Sequence, residues 1–200
     1  MHFFRIKTSL IIAGTAVACF FGGCAKAPDA KLAEAKSALQ AAKDAEADKY
    51  ITSNYENMTK AIANAEEEIA VQKKGFILTR KYKRINEMLD KTIAYCKDLA
   101  EKAPQTKATI AGEVKENLGL VDGMLKETAN DITKAARKRK RKEKALFEEL
   151  DGDLAKAKSM AADARTKFDS GNILEARSDL GEVQGLMKKI TDSLNPPKQQ

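Results

Sequence analysis

Two groupings of side chains in this 200-residue sequence are placed to do chemistry. The first is Cys24, a thiol behind Gly22 and Gly23 at the end of an apolar run, whose chemistry is that of a sulfur nucleophile open to covalent modification. The second is a block of seven basic residues in eight positions: Arg137, Lys138, Arg139, Lys140, Arg141, Lys142 and Lys144. Its chemistry is electrostatic, the gathering of phosphate or carboxylate groups. The plain alternative for the block is a solvated stretch of helix. Both groupings depend on where the chain goes.

The first residues answer that. Arg5 and Lys7 precede an apolar stretch from Leu10 to Phe21, broken only by Gly14 and Thr15, and the small residues Gly22 and Gly23 follow. Basic, apolar, small is the order of a secretory signal, and the apolar stretch is too short to span a bilayer as an ordinary helix. Phe21-Gly22-Gly23-Cys24 resembles the lipobox of bacterial lipoproteins, with Phe21 where Leu is usual. That resemblance implies a signal peptide over 1–23, cleavage before Cys24, and a short lipidated tether over 24–28. Two other cuts compete. Cys19 after Ala16-Val17-Ala18 leaves an apolar core of only Leu10 to Thr15, and an ordinary cut after Ala25-Lys26-Ala27 puts Pro28 beside the scissile bond. An uncleaved anchor is the third alternative.

Export narrows the chemistry by subtraction. Loss of residues 1–23 removes two of 36 basic residues and none of 29 acidic ones, so the formal charge falls from +7 to +5. The only histidine, His2, leaves with the signal, and with it any imidazole for nucleophilic catalysis, proton transfer or metal ligation. Lipidation consumes Cys24, so Cys96 has no partner for an intramolecular disulfide. Glycine-rich phosphate loops are absent, and no acidic pair stands out from a solvated helix face. The expectation is a protein without enzymatic activity, cofactor or metal. For the basic block, export leaves anionic phospholipid, lipopolysaccharide or an acidic protein as the counter-charge, rather than nucleic acid.

The elements that must position these residues are helical. The part after residue 23 is rich in Ala, Lys, Glu and Leu, with no Trp and eight Gly, and no stretch shows β-branched alternation. Helices are predicted at about 29–48, 53–74, 79–102, 105–144, 145–168 and 172–193. Pro28 with Asp29 opens the first, Pro104 breaks the middle, and Pro196-Pro197 follows the last. Ser53-Asn54-Tyr55-Glu56 fits a capping box, and Gly171-Asn172 marks a turn.

A weak repeat superposes helices beginning at Tyr55, Tyr82 and Ile173. Five residues earlier stand Tyr50, Ile77 and Phe168; three later, Met58, Ile85 and Ala176; seven later, Ile62, Leu89 and Leu180; fourteen later, Ile69, Cys96 and Met187. These spacings describe one buried stripe and assign Cys96 to the core. The remaining aromatics read as packing residues as well, with no exposed cluster.

Between 105 and 168 the apolar residues Val114, Leu118, Val121, Leu125, Ile132 and Ala136 keep heptad-like spacing. Leu146, Leu150, Ala157, Ala161, Ala164 and Phe168 resume it in phase. A single helix there would reach ~96 Å; two helices joined near 144–153, with Asp151-Gly152-Asp153 as the break, fit equally. The pairs Gly119/Gly123 and Gly181/Gly185 suggest close helix crossings. The fold expected is all-α: antiparallel helical hairpins stacked as an elongated bundle or short solenoid, with a long coiled-coil-like helix in the middle. Its regions are a hairpin region over 29–103, a long helical region over 104–168 holding the basic run, and a C-terminal helix with a polar tail over 169–200.

The lipobox-like signal followed by Leu32-Ala33-Glu34-Ala35-Lys36-Ser37-Ala38-Leu39 and Tyr55-Glu56-Asn57-Met58-Thr59-Lys60-Ala61-Ile62 resembles small Gram-negative envelope lipoproteins with an Ala-rich helical domain of unknown function, mainly over 24–103. Phe168 to Arg177 is also similar to the turn of tetratricopeptide hairpins. The first resemblance implies a helical interaction or structural module, tethered to the membrane through Cys24, with an envelope protein or a second copy as partner. Ala25 is not the aspartate that retains enteric lipoproteins at the inner membrane, which implies the periplasmic face of the outer membrane. Ending in Pro197-Lys198-Gln199-Gln200, the chain lacks the C-terminal lysine by which the major enteric lipoprotein joins peptidoglycan. Electrostatic binding of anionic lipid or another envelope polyanion by 137–144 is the alternative function.

Overall fold

A computed structural model describes residues 26–138 and 144–195, and all regular structure among them is helical. The order is α1 (Asp29–Asp44), α2 (Ala47–Tyr50), α3 (Thr52–Lys74), a 3-10 turn (Ile77–Thr79), α4 (Lys83–Lys138), α5 (Lys144–Asp169) and α6 (Ile173–Leu194). Each long helix has one apolar stripe, and the stripes are buried in two three-helix bundles that share α4. At ~1.5 Å per residue, the 56 residues of α4 span ~84 Å, the length of both bundles.

Ion pairs record how the helices run. In the first bundle, Asp29 meets Lys73 at 2.8 Å and Lys36 meets Glu66 at 2.9 Å, so α1 and α3 are antiparallel. Lys31 meets Asp90 at 2.7 Å and Glu34 meets Lys97 at 3.5 Å, so α1 runs parallel to the first half of α4. In the second, Lys167–Asp179 at 2.7 Å and Lys189–Asp153 at 2.9 Å set α5 against α6. Arg165–Asp122 at 2.8 Å joins α5 to the second half of α4. These exposed pairs fix register and contribute little stability, about 0–1 kcal/mol each; the buried stripes supply the rest.

The two bundles use one register. Tyr82, just before α4, and Ile85, Leu89, Thr92, Cys96, Leu99 and Ala103 on it are buried, and Ile173, Ala176, Leu180, Val183, Met187, Ile190 and Leu194 are buried on α6, each pair a constant 91 residues apart. The superposition of Tyr82 on Ile173 thus describes equivalent helices, and Cys96 is fully buried like Met187. The helix from Tyr55 is not a third equivalent. It is α3, the antiparallel partner of α4 within one bundle, where Ile62 and Ile69 are buried.

Four other expectations are corrected. Pro104 does not break the middle, because α4 runs through it. A proline inside a helix leaves one carbonyl unpaired at about 3 kcal/mol. That cost is offset because the stripe continues in phase from Cys96, Leu99 and Ala103 through Ile110 to Val114 and Leu118, packed in both bundles. Asp151-Gly152-Asp153 is not a break either. It lies inside α5, where Leu150 and Leu154 on either side are buried, and their burial outweighs about 1 kcal/mol for one helical glycine. No side chain caps α3; it starts at Thr52, whose Oγ1 donates to the Asp48 carbonyl at 2.9 Å, so the capping box at Ser53 does not form. Gly119, Gly123, Gly181 and Gly185 face open space, with nothing within 4 Å of an added Cβ, so they mark no helix crossing. The turn expected at Gly171 is present, with φ +84° in the region that glycine alone enters without strain. Pro196-Pro197 lies outside the described residues.

Candidate functional site

The shared helix separates three candidate surfaces along one axis. At its C-terminal end stand Arg137 and Lys138, the last residues of α4, and Lys144, the first of α5; all three are exposed. Lys144 pairs loosely with Glu148 at 3.5 Å, whereas Arg137 and Lys138 have no ion pair among the described residues. Arg139, Lys140, Arg141 and Lys142 lie outside the described residues. The described part of the run thus sits at the extremity of the second bundle, beside a cleft lined by Asp131, Lys134, Lys138 and Asn195. Ala136, assigned to the stripe, is exposed there; Ile132 is the last fully buried residue on α4, with Ala135 half-buried beyond it.

Midway along α4 is the junction. Glu46, between α1 and α2, adopts the left-handed backbone at φ 64° and directs its carboxylate to the ammonium groups of Lys107 and Lys49. Lys107 also stands 5.6 Å from the Tyr50 ring centroid, over its face. Hydrogen bonding to Lys107 and then Lys49 holds the Glu46 carboxyl below its ordinary range, and the same bond raises the Lys107 ammonium. Ala42, Ala47, Leu99 and Ala103 form a small core beneath. The arrangement is a clasp between bundles.

The third surface is the α3–α4 connection at the opposite end. Phe76, Ile77 and Leu78 are 69%, 50% and 84% exposed, and Val71, one turn earlier, is also exposed. Ile77 is therefore not on the buried stripe to which its spacing assigned it, and Phe76 is not a packing residue. The connection departs from helix at Gly75 and re-enters at Lys83, so these side chains have no opposing face to bury against. The legible signal was an aperiodic apolar triplet between Lys73-Lys74 and Arg80-Lys81. Tyr95, 60% exposed on α4, is the second aromatic wrongly assigned to packing.

Cys24 lies outside the described residues. The described chain leads from Lys26 into α1 at Asp29, whose carboxylate is bound to Lys73 in the last turn of α3. The start of the fold is therefore at the Phe76 end of the rod, with the basic run at the other. Cys96 is buried, and burial raises its thiol pKa, which disfavours the reactive thiolate. Among the described residues no group of three or more His, Cys, Asp and Glu could hold a metal, and no helix is long and apolar enough to cross a membrane.

No known protein family, curated protein or solved structure matches the chain.

Proposed function

We propose that this is a non-enzymatic lipoprotein of the bacterial cell envelope, anchored through Cys24 at the periplasmic face of the outer membrane. There it serves as a helical spacer and interaction module with an envelope protein as partner. The observation that carries the reading is polarity along the rod: the chain enters the fold at one extremity of an ~84 Å shared helix. Residues 24–28 extend at most ~18 Å, so an anchor at Cys24 holds that extremity at the bilayer and presents the remainder to the periplasm. Metabolic labelling with a palmitate analogue tests it. Label and membrane fractionation are expected in the natural chain and lost in Cys24→Ala; retained labelling in the variant overturns the reading.

The exposure of Arg137, Lys138 and Lys144 favours the second reading, in which the basic run binds a polyanion. For an upright rod these residues stand some ~80 Å from the anchoring bilayer, against a screening length of about 8–10 Å. Their target is then a polyanion facing the far end. Pulldown from solubilised envelopes, with the run neutralised as the comparison, separates the readings: unchanged recovery of partner excludes the basic run as the contact.

A further inference from the structure

The α3–α4 connection is built inside out. Its polar groups are consumed internally. Arg80 donates from Nε to the Gly75 carbonyl at 3.0 Å and from Nη2 to the Lys73 carbonyl at 2.8 Å. Thr79 donates from both its amide and its hydroxyl to the Phe76 carbonyl, and the Lys81 amide donates to Gln72 Oε1 at 3.0 Å. With the connection so fixed, Phe76, Ile77 and Leu78 are left exposed at its tip. Around the tip stand Lys73, Lys74, Arg80, Lys81, Lys83 and Arg84, with no acidic residue between Glu68 and Glu87. Lys73 is neutralised by Asp29 at 2.8 Å, and Arg84 and Lys83 have only loose partners, Glu68 at 3.8 Å and Glu87 at 3.9 Å. An apolar point within a basic collar matches the boundary between acyl chains and anionic headgroups.

We propose that Phe76, Ile77 and Leu78 insert into the membrane from which the chain is tethered, as a second attachment that holds the rod upright. The direction of approach rests on the anchored reading. The Asp29–Lys73 pair places the start of α1 beside the base of the tip, so a five-residue tether brings bilayer and tip together.

The chain has no tryptophan, so one introduced at the tip reports alone. The lipidated protein purified from envelopes, with Leu78→Trp and separately with Leu120→Trp in the second bundle, is reconstituted into vesicles of phosphatidylethanolamine and phosphatidylglycerol containing acyl-brominated phosphatidylcholine. Both sites are exposed, so neither substitution disturbs the core. Flotation with the vesicles reports the anchor; quenching reports the tip. The expected result is a blue-shifted, bromine-quenched emission for Leu78→Trp and an unshifted, unquenched one for Leu120→Trp. Flotation without quenching at Leu78→Trp overturns insertion while leaving the anchor standing. A blue shift without bromine quenching assigns the tip to a protein contact and also overturns it. Quenching at both sites means a rod lying flat and overturns the upright attachment; failure to float overturns anchor and insertion together.

Discussion

Lys107, halfway along α4, reaches back to the carboxylate of Glu46, a residue whose backbone lies in the left-handed region at φ 64°. Left-handed backbone costs a non-glycine residue roughly 1 kcal/mol, and here it delivers the carboxylate to the point where the first bundle gives way to the second. Because the Glu46 pKa is lowered in the folded protein, the contact contributes above the ordinary carboxylate value of 4.5 and is lost as the pH falls through the folded value. Lys107→Met keeps the stem over Tyr50 and removes the charge. It should lower stability by under about 1 kcal/mol at pH 7 and by progressively less in acid, read by urea unfolding at both pH values. An equal gap at pH 7 and well below the carboxylate range would mean that packing, and not the ion pair, supports the junction.

Glycines on the outer faces of α4 and α6 weaken helices without enabling contacts. Gly123→Ala and Gly185→Ala should each raise stability by about 0.5–1 kcal/mol, seen as a higher Tm. The open space around each position makes steric cost negligible. A lowered Tm would restore a close-packing role for these residues.

Much of this architecture was legible from spacing. Val114, Leu118, Val121, Leu125 and Ile132 repeat as a buried stripe and are buried, and the same holds for Leu150, Ala157, Ala161 and Ala164. Breaks were legible less well. Proline and glycine signal local preference, whereas Pro104 and Gly152 sit where burial on both sides exceeds that preference. Spacing also cannot tell an apolar residue on a covered face from one on a connection with no neighbour. Ile77 fitted the stripe of Tyr50 and Phe168 yet lies 50% exposed, because the covering helix has ended by Lys74. The tip was therefore the surface that spacing concealed.

Leu89 and Leu180 occupy the same place in successive bundles, at 0% and 2% exposure. Truncation of either to Ala should cost about 2–5 kcal/mol. Because both bundles depend on α4, each variant should shift one common transition in circular dichroism melts. Two separated transitions in Leu180→Ala would show that the bundles unfold independently of their shared helix.

Cys96 packs as a small hydrophobe in the α1–α3–α4 core, with burial raising its pKa. A thiol-specific reagent should label it only in denaturant, at a rate that tracks unfolding. Rapid labelling of the native protein would instead show that the first bundle opens readily around this buried position.

Continuity of α4 through Pro104 sets the last expectation. Pro104 is exposed, so its ring makes no core contact, while its missing amide leaves the Ala100 carbonyl without its helical donor. Proline also lowers the entropy of the unfolded chain, worth about 0.4–1 kcal/mol in the opposite sense. The helix-interior cost of about 3 kcal/mol is the larger, so Pro104→Ala should stabilise the protein by roughly 2–2.5 kcal/mol in urea unfolding. Were the chain to turn at Pro104, the amide restored by alanine would have no carbonyl to meet, and only the loss of proline rigidity would register as a slight destabilisation. The sign of one substitution thus distinguishes a rod built on a single helix from two bundles hinged at its centre.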